Sequence, residues 1–245
     1  MYKQKALAGV WVIMKNYLII GASSGIGNAL AHQLVSEGNQ VYGTYFKNES
    51  PSPNHNLHFH YFNCNDANVE FSYLPEQING LAFCPGSIVL KPFNRIKPEE
   101  FISDFEFQVV GLIKVIQAVL PHLKRSENAS IVLFSSVAAQ LGLNFHSLVG
   151  ATKGAIEGLT RSLAAEFAPT IRVNCIAPSL TNTPLAASLI NSEDKLAANA
   201  LRHPLKRIGT VTDIANCANF LLSDKSSWIT GQVLHPDGGI GKLKV

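Results

Sequence analysis

Short runs of apolar residues alternate with longer stretches in which apolar positions recur every three or four residues, and the alternation persists along nearly the whole chain. The short runs, at 17–20, 40–45, 57–62, 80–84, 130–134, 172–176 and 232–235, read as strands buried on both faces. Between them, 25–37, 101–123, 149–167 and 212–222 carry the helical period, and Pro169 and Pro178 close off segments as helix-incompatible residues should. Strands alternating with helices are the pattern of βαβ units. The expected architecture is therefore α/β: a doubly wound parallel sheet of about seven strands with helices on both faces, in a single domain.

One connection is short. Only residues 67–77 separate the third and fourth strands, room for a helical turn or two at most. The longest stretch without a strand is 179–204, whose Ala/Leu/Asn-rich middle is expected to form a mobile helical lid that selects the substrate. At the start, two lysines and an apolar run from Ala6 to Met14 resemble a weak signal-peptide core, yet no small-residue cleavage site follows and the next segment is needed as a strand. Met14 followed by Lys15 reads as a start, which makes 1–13 an N-terminal extension and 14–245 the domain.

Composition narrows the classes. With 245 residues, 47% of them hydrophobic, the chain can bury an ample core. A net charge of +3 from scattered cations offers no basic stripe, so neither nucleic acid nor a membrane surface is an expected partner, and no run reaches the length of a membrane helix. Cys64, Cys84, Cys175 and Cys217 lie far apart without metal-finger spacing, which reads as reduced thiols in a cytoplasmic protein. His55, His58 and His60 suggest a metal at first sight, but the strand period gives them no carboxylate or thiol in register, and no metal is expected. Glu99, Glu100, Asp104 and Glu106 surround a helix start and read as a solvated acidic face favouring the helix dipole.

Directly after the first strand comes Gly21-Ala22-Ser23-Ser24-Gly25-Ile26-Gly27, opening a helix. Glycines let backbone approach a pyrophosphate closely, and the helix N-terminus presents free N–H groups to it. The same turn also occurs for packing alone.

The wording GASSGIG resembles the fingerprint of the short-chain dehydrogenase/reductase family, and the resemblance spans some 220 residues. INGLAFCPG (78–86) is similar to the strand ending in that family's NNAG element, IVLFSS (131–136) to its serine strand, ATKGAIEGLTRSLAAEF (151–167) to its lysine helix, RVNCIAPSLTNTP (172–184) to its cofactor loop and ITGQVLHPDGG (229–239) to its closing segment. The resemblance, closest to the 3-oxoacyl-carrier-protein reductase-like branch, implies a Rossmann-type fold and a nicotinamide dinucleotide held by Gly21, Ser23, Ser24, Gly25, Ile26, Gly27, Tyr45, Lys47, Asn63, Cys64, Pro85, Gly86, Lys153, Pro178, Thr181 and Thr183. Tyr45 stands where the family places an acid that would repel a 2′-phosphate. With Lys47 nearby, NADP(H) is favoured over NAD(H), although Ser24 replaces the basic residue of many NADP-preferring relatives.

The resemblance also implies a catalytic set: a tyrosine that exchanges a proton with the substrate oxygen, a lysine four residues on, a serine thirteen before the tyrosine, and an asparagine. Ser136 and Lys153 match, Gln108 takes the asparagine position, and both spacings land on Val149 where the tyrosine belongs. The NNAG element has become Phe83-Cys84-Pro85-Gly86, and the proline-glycine of the cofactor loop has become Pro178-Ser179. Valine has no exchangeable proton; His146, three residues earlier, could in principle serve as the acid, but a loop histidine facing solvent or a subunit contact is the reading the sequence favours. Three readings stay open. One is an oxidoreductase acting on a small carbonyl or acyl-thioester substrate. Another is a catalytically silent nucleotide-binding or scaffold subunit, and the third is chemistry in which the substrate or water supplies the proton. Apolar residues on more than one face of 101–123 and 149–167 suggest a homo-oligomer, dimer or tetramer, or a hetero-oligomer with an active paralogue.

Overall fold

The computed structural model describes residues 3–4, 12–47 and 54–244. Seven strands, β1 (Asn16–Ile20), β2 (Gln40–Tyr45), β3 (Leu57–Tyr61), β4 (Gly80–Phe83), β5 (Ala129–Phe134), β6 (Ile171–Ile176) and β7 (Val233–Leu234), form one parallel sheet in the order β3-β2-β1-β4-β5-β6-β7. The expected fold class is what the chain adopts. Every residue of β4 and β5 is buried, which is why these strands read as continuous apolar runs rather than as alternations.

Successive side chains leave the sheet on opposite faces, and each face has its own core. Leu18, Ile20, Ile131 and Leu133 pack with Leu112, Val115 and Val119 of α3 (Gly111–Lys124) and Ile156 of α4 (Ser147–Phe167). Tyr17, Ile19, Val132 and Phe134 pack with Leu30 and Leu34 of α1 (Gly25–Ser36) and with Ile214 and Leu221 of α6 (Val211–Leu222). Each fully buried Leu or Ile contributes about 1.5–3 kcal/mol. The strand order reverses beside β1, so a crevice opens at the carboxyl ends of β1 and β4, where doubly wound sheets bind ligands.

The expected 101–123 helix is not one helix. α2 (Pro98–Phe105) starts three residues early, because Pro98 suits a first helical turn and the Glu100 carboxylate accepts from the Lys97 N–H. A π-helical turn at Glu106–Val110 then joins α2 to α3. No helix forms in 67–77: Phe71 and Leu74 are buried in the core, and the Tyr73 ring stacks on His60 with centroids 3.5 Å apart. His58 bonds Gln40 Oε1 at 2.9 Å, so the side chains of the histidine strand are engaged by sheet neighbours. The 179–204 segment contains a 3-10 turn, Pro184–Leu189, and α5 (Glu193–Leu201). Lys3–Gln4 pairs antiparallel with Val12–Ile13 in a separate ladder, and the rest of residues 1–13, read from the sequence as an extension, lies outside the described residues.

Candidate functional site

The turn after β1 is shaped by its glycines. Gly21 and Gly25 have φ of +78° and +56°, the left-handed region, and a Cβ on Gly27 would lie 2.2 Å from the Gly21 carbonyl oxygen. The turn delivers α1 with its N-terminus uncapped: Ser24 makes no side-chain cap bond and the first turn holds no acid. Free N–H groups and the positive end of the helix dipole therefore face a cavity of about 440 Å³.

Around that cavity stand Gly21, Ser23, Ser24, Gly25, Ile26, Gly27, Tyr45, Lys47, Asn63, Cys64, Pro85, Gly86 and Thr183. Among the described residues its lining holds no carboxylate and one cation, Lys47. Lys153, Pro178 and Thr181, expected on the same ligand, line instead a second, largely apolar cavity of about 300 Å³. Cys84, Pro85, Gly86 and Thr183 line both, so the two cavities share a wall. An elongated ligand lying across that wall would reach from the glycine turn to Lys153.

The second cavity gathers Ser136, Val149, Lys153 and His146. Ser136 precedes a 3-10 turn and its Oγ accepts from the Ala138 N–H at 3.2 Å. Lys153 is buried, with Nζ donating to the Phe134 carbonyl at 3.1 Å. Burial lowers its pKa to about 8, against partial compensation from nearby Cys175, Asp104 and Cys84. Burial likewise pushes the Cys84 thiol up to about 12. Val149, 5% exposed, sits one turn before Lys153 and presents only methyl groups. His146 stands at the N-cap position of α4 without a side-chain cap bond, its Nδ1 2.7 Å from the Asn144 carbonyl.

Gln108 is fully buried on the π-helical turn and lines neither cavity, but it is not idle. Its Nε2 donates to both Asp104 oxygens, at 2.8 and 2.9 Å, and to Ser87 Oγ at 3.0 Å. Asp104 also accepts from Thr152 Oγ1 at 2.7 Å and from Ser87 Oγ. Asp104 is thus 7% exposed and fully partnered, which overturns its reading as part of a solvated acidic face. The helical period could not show this, because the partners come from α4 and the β4 loop. With the amide nitrogen committed, Gln108 Oε1 is left buried without a partner, and both it and Lys153 Nζ lie 3.5 Å from where a Gly86 Cβ would be.

A second pair escaped the sequence reading. On the wall of the second cavity, Ser179 Oγ lies 2.8 Å from His203 Nε2, and His203 Nδ1 lies 2.8 Å from the Asn199 carbonyl. His203 is 3% exposed. The only trace in the sequence is a histidine before Pro204, with no spacing to tie it to Ser179.

Residues 65–241 match the family described as enoyl-(acyl carrier protein) reductase. A tropinone reductase homolog of Arabidopsis thaliana is 33% identical over 97% of this chain and 94% of its own length. The 3-oxoacyl-[acyl-carrier-protein] reductase FabG of Staphylococcus aureus is 30% identical over 92% of this chain and 98% of its own. Among solved structures, the ligand-free aldohexose dehydrogenase of Thermoplasma acidophilum superposes with a TM-score of 0.84 at 26% identity, covering 95% of this chain and 97% of that one. ElxO with NADP bound superposes with a TM-score of 0.82 at 26% identity, covering 93% and 99%.

Proposed function

The chain belongs to the short-chain dehydrogenase/reductase family, and on that premise we propose that it binds NADP(H), in preference to NAD(H), and acts as an oxidoreductase on a carbonyl/alcohol pair. The observation that carries the reading is the uncapped N-terminus of α1 behind the glycine turn, facing a cavity whose described lining holds Lys47 and no carboxylate. Backbone N–H groups of 25–27 suit a pyrophosphate, Lys47 a 2′-phosphate, Asn63 an adenine edge, and Lys153 the ribose hydroxyls nearest the reaction. When bound, the dinucleotide supplies or accepts a hydride. The chain's own task is to place the substrate carbonyl in the apolar second cavity, where Ser136 can donate to its oxygen and the 179–204 segment can close over it.

That NADP is bound by ElxO and that FabG is named an acyl-carrier-protein reductase support the cofactor and a β-ketoacyl thioester or similar small ketone as substrate. Exposed Phe93, Ile102 and Phe105 beside α2 support self-association as a dimer or tetramer. One observation favours a second reading. Val149 puts methyl groups where the family's proton donor stands, which fits a subunit that holds the dinucleotide without turning it over, alone or beside an active paralogue.

Titration with NADPH and NADH, followed by nicotinamide fluorescence, tests the cofactor. Oxidation of bound NADPH on adding ketones and β-ketoacyl thioesters tests the reaction. Binding with turnover supports the enzyme, binding without turnover the silent subunit, and no binding refutes both.

A further inference from the structure

Reduction of a carbonyl requires a proton for its oxygen, and Val149 cannot give one. The part of the same cavity built by the loop after β6 and by the end of α5 carries a pair that can. His203 Nδ1 faces the Asn199 carbonyl at 2.8 Å, and a carbonyl only accepts, so Nδ1 carries a proton whatever the charge on the ring. The state of Nε2 then sets the direction of the 2.8 Å bond to Ser179 Oγ. With a neutral ring, Ser179 donates to Nε2 and turns its lone pairs to the cavity. With an imidazolium, Nε2–H donates to Oγ and the Ser179 hydrogen is free to point at a substrate.

We propose that Ser179 and His203 form a proton relay that replaces the hydroxyl missing at Val149, serving a small ketone or β-ketoacyl thioester held beside Ser136 and Lys153. The relay rests on the dinucleotide-dependent reading above. In reduction, the two electrons reach the carbonyl carbon with the hydride of the reduced dinucleotide. The carbonyl oxygen takes the Ser179 hydroxyl proton, forming the O–H bond of the alcohol, while Ser179 Oγ takes the Nε2 proton of His203. The ring is left neutral and regains a proton from water. Oxidation runs the same bonds in reverse, from the neutral ring.

The other polar groups of the cavity suit the role less well. Lys153 Nζ is tied to the Phe134 carbonyl; Ser136 Oγ accepts from the Ala138 N–H and keeps a hydrogen for the substrate oxygen but has no titratable side chain bonded to it to resupply a proton; and among the described residues His146 has no hydroxyl bonded to it to carry its proton onward. Ser179 and His203 also line a smaller cavity of about 220 Å³, which gives the pair a second opening away from the substrate. The charged and titratable groups that share a cavity with His203 are Arg202, Lys153 and His146 in the substrate cavity and Arg207, Asp213 and Asp237 in the smaller one. Asp213 is paired with Arg207 at 2.6 Å, and Asp237 accepts from the Gly239 and Gly241 N–H groups at 2.8 and 2.9 Å. Arg207, Asp213 and Asp237 are thus engaged with one another or with backbone, which leaves Arg202 and Lys153 as the cavity charges that bear on the ring.

The test has a readout that needs no turnover. Ring nitrogen-15 spectra of the whole protein should show the neutral His203 ring protonated at Nδ1, with Nε2 accepting from Ser179. The Nε2 signal should move in Ser179→Gly. An Nε2–H tautomer, or an Nε2 signal indifferent to Ser179→Gly, would overturn the relay. With NADPH and acetoacetyl-N-acetylcysteamine, Ser179→Gly and His203→Gln should each lose about 10²-fold in kcat, together with the alkaline limb of the pH profile that a protonated donor imposes on reduction, while NADPH dissociation constants stay within about twofold. A pH limb that vanishes in His146→Gln instead would assign the proton to that residue and overturn the proposal. NADPH binding without turnover by the parent protein would overturn the relay and leave the cofactor site standing. Failure to bind NADPH would remove both.

Discussion

The Gln108 amide nitrogen lies 2.8 and 2.9 Å from the two carboxylate oxygens of Asp104, and this fixes which way the side chain faces. A carboxylate accepts and an amide nitrogen donates, so Oε1 must turn the other way, towards Gly86 and Lys153. Thr152 Oγ1 and Ser87 Oγ complete the set around Asp104, binding α2, α4, the π-helical turn and the β4 loop into one buried knot.

Replacing Asp104 with Ala should therefore cost about 2–4 kcal/mol, because it strands the Gln108 amide and the hydroxyls of Thr152 and Ser87 away from water. Urea denaturation measures it. Thr152→Val, which removes one donor and leaves the rest paired, should cost about 1 kcal/mol. Equal losses in the two variants would argue against a network centred on the carboxylate.

Lys153 predicts two pH effects of opposite sign. Its pKa is held at about 8 in the folded chain against an ordinary value of 10.5, so between those values the unfolded chain binds more protons and stability rises with pH. Affinity for NADPH should move the other way, falling about tenfold from pH 7 to pH 9 as the ammonium that donates to the ribose becomes an amine. Both trends should flatten in Lys153→Met, by thermal melts for the first and fluorescence titration for the second.

Lys47→Glu separates the two dinucleotides. It places a carboxylate where a 2′-phosphate would lie, so the NADPH dissociation constant should rise about tenfold or more while that for NADH changes little. Parallel losses for both cofactors would place Lys47 outside the phosphate contact.

Val149→Tyr restores a hydroxyl one helical turn before Lys153. Carbonyl reduction should rise by about 10²-fold, and in that background His203→Gln should cost less than tenfold, since two proton sources are then redundant. A full loss from His203→Gln in the tyrosine variant would mean that the histidine supports the pocket rather than the proton.

The sheet was legible in the sequence because a strand buried on both faces must be apolar throughout, and β4 and β5 are. The glycine turn was legible for a related reason: Gly21, Gly25 and Gly27 occupy backbone positions that other residues strain or block. Side-chain pairing left no such mark. Asp104 has the same helical period as a solvated acid, and only the arrival of Thr152 from α4 makes it internal. Ser179 and His203 are joined across a loop and a helix whose relative placement no local pattern encodes. The π-helical turn was invisible because the apolar stripe continues through it, from Val109 to Leu112 and Val115.

The segment 67–77 holds its place by anchors and a single internal turn, in which the Leu74 N–H donates to the Phe71 carbonyl at 3.0 Å. Phe71 and Leu74 are sunk in the core and Tyr73 lies flat on His60, while the stretch from Asn65 to Asn68 is exposed. Length in such a segment is cheap and anchor chemistry is not. Residues inserted before Val69 should be tolerated, whereas a single polar replacement at Phe71 should not, so divergence among descendants of this chain would be expected to appear there first as gaps rather than as substitutions.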